Sequence, residues 1–516
     1  MRLLLFIWIA ILLITSGCRS GTAKRDTLFR LLPADETGIQ FSNLIKQTDS
    51  QNILQYMYFY NGGGVGLGDV NNDGLTDIFF TGNMVSSKLY LNKGNFQFQD
   101  ITEQAGIATK GWCTGVAFAD VNSDGYLDIY VSRAGSKRAT DRANLLFINN
   151  RNNSFTESAS AYGIADTGYS TQAAFFDYDK DGDLDLYVLT HDHSPRSVNN
   201  TSPIKENGEA ANTDRLYRNE GNGANGHPVF TNVSDSAGIL IEGFGLGVAI
   251  SDLNADGWPD IYVANDFLSN DILYINNKNG TFTNRISDFL KHESYNGMGV
   301  DVSDFNNDGH PDIVEMDMLP PDNYRQKMMS AGMTNEKFEL MLDRGYQPQY
   351  MRNTLQLNDG TGHFSEIGQL AGVDKTDWSW RPLFADLDND GFKDLFITNG
   401  YLKDITDKDF INYSKTQTIL QDAKTADRKL LALMDKQPGV KLSNYAFINN
   451  HDLTFSEAKN WGMDQPGYSN GSAFADLDND GDLDLVVNNI NDKAFVYKNG
   501  SEKDSNNHYL QISLQG

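Results

Sequence analysis

From residue 64 onward the chain runs as short apolar stretches separated by acidic, glycine-containing clusters, a rhythm of strands and turns rather than of helices. Gly64–Asp69 and Asp77–Thr81 bracket the first cluster with β-type sequence. A third stretch ending in Asn then recurs in every unit: Leu89–Asn92, Leu146–Asn149, Leu216–Asn219, Leu273–Asn276, Leu355–Asn358, Ala446–Asn449 and Val496–Asn499. Fourth stretches follow, such as Phe96–Asp100, Phe155–Glu157 and Phe364–Glu366, and several run into Ala-Gly-Ile or a near copy at 105–107, 163–164, 237–239 and 371–373. Four strands per unit is the blade of a β-propeller.

The acidic clusters share one nine-residue pattern, Asp-x-[Asn/Asp]-x-Asp-Gly-x-x-Asp, seven times over, with steps of 51, 57, 75, 52, 82 and 90 residues. Its oxygen-bearing positions 1, 3, 5 and 9 are Asp69, Asn71, Asp73 and Asp77; Asp120, Asn122, Asp124 and Asp128; Asp177, Asp179, Asp181 and Asp185; Asp252, Asn254, Asp256 and Asp260; Asp304, Asn306, Asp308 and Asp312; Asp386, Asp388, Asp390 and Asp394; and Asp476, Asp478, Asp480 and Asp484. Oxygens at that spacing curl round one point, the position-7 carbonyl adds a backbone ligand, and the glycine permits the sharp turn. Hard oxygen donors without His or Cys favour calcium over zinc or copper. An EF-hand is excluded, because Glu at position 12 is missing and the flanks are not helical. Up to seven Ca²⁺ ions are expected, in loops joining the first two strands of each blade.

The seventh unit stops at Asn499-Gly500 without a fourth strand. Leu28–Leu32, followed by Thr37–Phe41 with its own Gly-Ile, precedes the first unit and has nothing beside it to pair with. The expectation is that this N-terminal strand completes blade seven and closes the ring, which removes the open sheet edge. The predicted fold is all-β: a seven-bladed propeller of four-stranded blades over 28–500, with small helical insertions.

Composition sharpens this in two ways. The 516 residues hold 42 Lys+Arg against 69 Asp+Glu, a formal charge of −27. Such a surface repels nucleic acid and anionic lipid. Seven divalent ions carry +14, so half of the excess sits where metal neutralises it. The N-terminus reads as a targeting signal: Met1-Arg2, an apolar run Leu3–Ile14, then Thr15-Ser16-Gly17-Cys18. Twelve residues suit a signal peptide and fall short of a bilayer span. Residues 1–18 resemble a bacterial lipoprotein signal with Cys18 as the acylated residue, although Thr15 departs from the usual Leu; an ordinary secretory signal is the other reading. Residues 19–27 form a linker, and Tyr509–Leu514 within 501–516 reads as the entry strand of a further, truncated module. The second cysteine, Cys113, reads as a buried structural thiol, so the exported chain needs a staple other than a disulfide.

The repeats resemble FG-GAP/VCBS units, as in integrin α-subunit propellers, and are most similar to the propeller of the cartilage acidic protein family and its bacterial relatives. That resemblance spans roughly 28–500 and implies a calcium-binding propeller, in a family where an ASPIC/UnbV-type module often follows.

Beyond the metal loops, three insertions at about 190–214, 316–352 and 400–444 fall between second and third strands, on the face away from the metal. A helix is expected near Asn335–Leu342, and Leu420, Leu430, Leu431 and Met434 show helical spacing. An aromatic recurs just ahead of each first strand: Tyr60, Trp112, Tyr169, Phe244, Tyr295, Trp378 and Tyr468. Such a ring packs between blades or stacks sugar rings. Trp380 and Arg381 break the pattern and are the better single ligand candidates, joined by Trp378, Trp112, Tyr346 and Tyr350. His191-Asp192-His193 has no third zinc ligand nearby and reads as a polar surface loop. No nucleophile elbow, Walker loop or sialidase-type Asp box is read along the chain. The expectation is a non-enzymatic binding or scaffold protein at the periplasmic or outer face of an outer membrane, touching the membrane only through its lipid. It would engage a protein or glycan on the insertion face. A calcium-dependent polysaccharide lyase and an accessory subunit of an uptake system are the alternatives.

Overall fold

The computed structural model describes residues 27–192, 201–329 and 334–501. The signal peptide with Cys18, nearly all of the linker, His193 and the segment from residue 502 onward lie outside the described residues. Seven antiparallel four-stranded sheets follow one another, from Val65–Gly68, Asp77–Phe80, Lys88–Asn92 and Phe98–Asp100 in blade one to Ser469–Ala475, Asp484–Asn489 and Phe495–Lys498 in blade seven. The fourth strand of blade seven is Arg30–Leu31, with Arg30 opposite Lys498 and Leu31 opposite Tyr497. The first and last described strands thus pair in one sheet. No described helix is long and apolar enough to cross a membrane.

The Gly-Ile endings are one-turn helices. Ala34–Thr37, Thr102–Ala105, Ala159–Tyr162, Ser234–Ala237 and Gly368–Ala371 each stop at a glycine in the left-handed conformation. Such a cap satisfies the last carbonyls where a side chain would be strained. A Cβ on Gly38 would lie 2.5 Å from the Phe98 carbonyl oxygen of the next blade, and one on Gly163 or Gly238 would lie 2.7 Å from Phe230 O or Phe282 O. Each glycine therefore also sets how closely adjacent blades approach.

Blades are cross-linked by the Asn that ends each third strand. In six blades its Nδ2 donates to the position-2 carbonyl of the preceding blade's acidic loop, at 2.7–3.0 Å. Asn449 is typical: it donates to Phe305 O and Lys393 O and accepts from the His451 N–H. Asn449→Ala removes all three bonds at a buried boundary. At about 1 kcal/mol each, it lowers unfolding stability by about 3 kcal/mol in chemical denaturation. Asn449→Asp, which keeps size and acceptor but turns a carboxylate on two carbonyls, does no better.

Three expectations need correction. Phe96 is not in a strand: its φ is +56°, and the fourth strand starts at Phe98. The helix at Asn335–Asp343 forms as expected, and Leu430, Leu431 and Met434 pack inward from a helix at Ala423–Lys436. Leu420, however, lies outside that helix at 91% exposure, in the turn joining it to the helix Lys408–Thr418. His191 is wholly buried at the end of a strand, not in a surface loop. A segment that sequence reading singled out only for Tyr60 covers it: residues 53–61 cross the insertion face and bury Tyr56, Tyr58, Phe59 and Tyr60 in the mouth of the ring. Tyr56 Oη lies 3.1 Å from His191 Nε2, and Phe59 packs on Trp112 at 4.9 Å between ring centroids.

At the boundary of blades four and five, Asp271, Glu293 and Glu315 are wholly buried together. Tyr262 Oη donates to Asp271 Oδ2 at 3.2 Å and to Glu315 Oε2 at 3.0 Å, while the Asp271 N–H donates to Glu293 Oε2. Burial, with Asp317 adding repulsion, pushes the Asp271 carboxyl up to about 7 and holds both glutamates well above their usual range. A group protonated in the folded state and free to ionise when unfolded stabilises fully at low pH. That contribution is lost as pH rises from the unfolded carboxylate range through about 7. In saturating calcium the melting temperature should therefore fall between pH values of about 5.5 and about 8.5. Glu315→Gln should narrow the gap.

Candidate metal centres and the axial funnel

Each acidic loop is folded by its own backbone. The position-1 Asp takes the position-6 glycine N–H on Oδ2 at 2.7–3.1 Å in all seven blades. Its Oδ1 takes the position-5 N–H at 2.9–3.2 Å. The glycines have φ between +82° and +98°, and a Cβ on Gly74, Gly125, Gly182, Gly309 or Gly391 would meet nothing within 4 Å. Conformation, not space, demands glycine there.

Position 9 is the buried anchor. Asp77, Asp128, Asp185, Asp260, Asp312, Asp394 and Asp484 each accept the N–H of the third-strand Asn on Oδ1 at 2.8–3.0 Å. Each also accepts the position-2 N–H on Oδ2. Burial outweighs these bonds and pushes Asp77, Asp128, Asp260 and Asp312 up to about 7, and Asp185, Asp394 and Asp484 to about 8. A buried carboxyl held that high is one that a cation can ionise.

The residues fit a metal ion. Carboxylate oxygens of Asp177, Asp179 and Asp185, of Asp386, Asp388 and Asp394, and of Asp476, Asp478 and Asp484 lie within 4.8 Å of one another. Asp179 Oδ1 and Asp478 Oδ1 are shielded from solvent without a hydrogen-bond partner. The other four loops carry Asn at position 3, whose Oδ1 accepts the position-5 N–H at 3.0–3.2 Å. Neighbouring loops are also tied together, since Asn72, Asn307, Asn389 and Asn479 at position 4 donate to the position-6 carbonyl of the next loop.

Of the ligand candidates, the structure brings together Trp112, Trp380 and Arg381. With Tyr56, Tyr58 and Asn470 they line a funnel on the ring axis that holds about 680 Å³ of space, part of it open solvent. Glycines keep its walls close: a Cβ on Gly299 would lie 2.1 Å from Trp380 O. Trp378 lies behind the wall, stacked 3.9 Å from Tyr401. Tyr346 is buried elsewhere with Tyr295 and Met341, and Tyr350 is exposed beside Phe338. Of the aromatics ahead of the first strands, Trp112 lines the funnel and Tyr169 packs on Tyr56, while Phe244, Tyr295 and Trp378 pack on Phe267, Tyr346 and Tyr401. Cys113 is a buried free thiol, its pKa raised by desolvation.

Sequence reading marked the recurrence of the third-strand asparagines without their role between blades, and missed Asn470, which carried no signal. It also passed over Gly467-Tyr468-Ser469-Asn470-Gly471, which spells a Gly-x-Ser-x-Gly motif. Ser469 opens a strand, is wholly buried and donates to Asn489 Oδ1 at 2.7 Å. A nucleophile elbow needs its serine exposed on a strand-to-helix turn.

Comparison with known proteins agrees with the repeat geometry. A search of curated protein sequences finds no match. Among solved structures, the chain is similar to a lectin from Agrocybe aegerita described as recognising non-reducing terminal N-acetylglucosamine. The identity is 16%, the coverage 80% of this chain and 87% of the lectin, and the TM-score 0.39. It is also similar to BBS1N in complex with ARL6DN, at 11% identity, 87% and 96% coverage and the same TM-score. The FG-GAP-like repeat family matches at 69–131, 138–188, 252–315, 344–397 and 432–487, together more than half of the sequence. The chain therefore belongs to the FG-GAP-like repeat family.

Proposed function

We propose that this propeller is a calcium-stabilised binding or scaffold protein, exported and held at an outer membrane by a lipid on Cys18, that docks a protein partner on its insertion face. The ASPIC/UnbV-associated lipoprotein branch is the lineage this reading favours. The observation that carries it is the distribution of exposed large apolar side chains. Of nine among the described residues, seven stand in two insertions: Tyr324, Leu340, Leu342 and Tyr350 in one, Tyr413, Ile419 and Leu420 in the other. The two insertions abut, with Arg325 Nη1 3.2 Å from Asp404 Oδ2 and Lys408 Nζ donating to Lys327 O. Apolar exposure so concentrated marks an interaction surface.

Pull-down from a surface proteome tests it: the wild-type chain should retain a partner that an Ile419→Ser/Leu420→Ser variant of equal stability loses. Equal capture by both sinks the reading. A glycan in the funnel is the second reading, favoured by Asn470, which is 4% exposed with both amide atoms unpartnered beside Trp112, Trp380 and Arg381. A glycan array read with Asn470→Ala and Arg381→Ala separates the two.

A further inference from the structure

We propose that Lys498 is a tethered cation of the blade-seven loop, an ammonium that competes with the metal there and holds the seam of the ring when no metal is bound. This rests on the loops being calcium sites and goes beyond it by making one of the seven unlike the rest.

The loops differ in charge. Blades three and seven carry Asp at positions 1, 3, 5, 7 and 9, whereas blades one, two, four and five have Asn at position 3 and no acid at position 7. The residue just before the third-strand Asn differs in step. It is Leu91, Ile148, Ile275, Leu357 and Ile448 in five blades, but Arg218 and Lys498 in the two with five acids. Arg218 lies beside Asp179 and Asp181 but pairs with Glu220, Nη2 to Oε1 at 2.7 Å. Lys498 pairs with the loop itself: its Nζ touches Asp478 Oδ2 and lies 2.8 Å from Asp480 Oδ2. Positions 3 and 5 of one loop are thereby bridged by a single ammonium. In other loops the position-5 carboxylate is met alone, by Arg151 on Asp124, Lys278 on Asp256 and His451 on Asp390.

The placement is specific to the seam. Lys498 ends the strand that pairs with the N-terminal Arg30–Leu31, and its Nζ lies 5.0 Å from the centre of the Phe96 ring of blade one. One side chain thus joins the last loop, the first blade and the closing sheet. The inner oxygen Asp478 Oδ1 stays unpartnered, and oxygens of Asp476, Asp478 and Asp484 still converge within 4.8 Å, so a divalent ion can enter. It enters against a unit positive charge a few ångströms away. That repulsion weakens binding by at least about tenfold even at the dielectric of water. Without the ion, the same ammonium neutralises carboxylates that would otherwise repel one another.

The test is equilibrium dialysis of radioactive calcium on the mature full chain, wild type and Lys498→Met, beside thermal melts in chelator. The variant should tighten the weakest class of sites at least about tenfold and leave the number of ions unchanged. In chelator it should melt below the wild type, whereas Lys278→Met, which removes a cation touching a single carboxylate, should not. Identical calcium isotherms, or equal melting in chelator, reject the role of Lys498. A wild type that binds no calcium rejects the calcium reading itself and this inference with it. If Lys498→Met does not fold, the double variant with Asp478→Asn restores the Asn of the lysine-free loops. It should fold and bind calcium tightly in blade seven; failure to do so overturns the proposal.

Discussion

Chelating divalent ions should lower the melting temperature of this protein by about 20 °C. At about 100 times the dissociation constant, one bound ion stabilises the folded chain by about 2.7 kcal/mol, so seven independent sites contribute about 19 kcal/mol. Unfolding entropy of about 2 cal/mol/K per residue, over a propeller of this length, makes each kcal/mol worth about 1 °C. The loops give that number its physical basis. Their carboxylates are already aimed by backbone N–H groups, so little ordering is needed on binding, and their mutual repulsion is what the ion removes. Added calcium should restore the melt. Magnesium should not, because it keeps its water and demands a tighter octahedral shell. A melt unchanged by chelator removes the metal from the account altogether.

Gly462→Ala should cost at least about 3 kcal/mol and open the ring at its seam. The residue has φ +90°, and a Cβ there would lie 2.2 Å from the Phe29 carbonyl oxygen. The conformational strain alone costs about 1–2 kcal/mol. The clash adds more, because its target is backbone: Phe29 N–H donates to Trp461 O, and the next two residues form the closing strand. Nothing flexible can give way except that strand. Chemical denaturation should show the loss, and limited proteolysis should cut the variant near the N-terminus faster than the wild type. Gly74→Ala is the comparison, since that glycine has a similar φ but open space around it. It should lose stability through strain alone and keep its N-terminus protected. Equal protection in Gly462→Ala would show that the closing strand docks independently of this contact.

Much of the architecture was legible because a propeller repeats its physics. Seven copies of one loop pattern, third strands ending in Asn, and a spare strand ahead of the first unit against a missing one in the seventh were all local patterns. Each maps onto an observed element. The clustering of carboxylates in the loops of blades three, six and seven was legible for the same reason, since the residues that meet lie within nine contiguous positions. The closing strand aside, what could not be read was any side-chain contact between residues far apart in the chain. Tyr56 meeting His191, Asn449 reaching Phe305, and Lys498 lying over Phe96 span separations on which a local pattern is silent. The funnel is of this kind, because its wall takes residues from five first strands and from the segments just ahead of the other two, and its tyrosines come from outside any repeat. His191 shows the cost most clearly: a polar triplet looks solvent-facing until another segment is laid over it.

The sequence by itself determined the four strands of each blade, the ring and the acidic loops in which carboxylates cluster, since periodicity and nine-residue spacing are short-range constraints. Only the tertiary structure decided which aromatics are packing and which line a cavity, and that blade seven carries its own cation. It also decided that exposed apolar side chains gather on the insertion face. Burial and charge pairing depend on which distant segments close over a residue, and no local pattern encodes that.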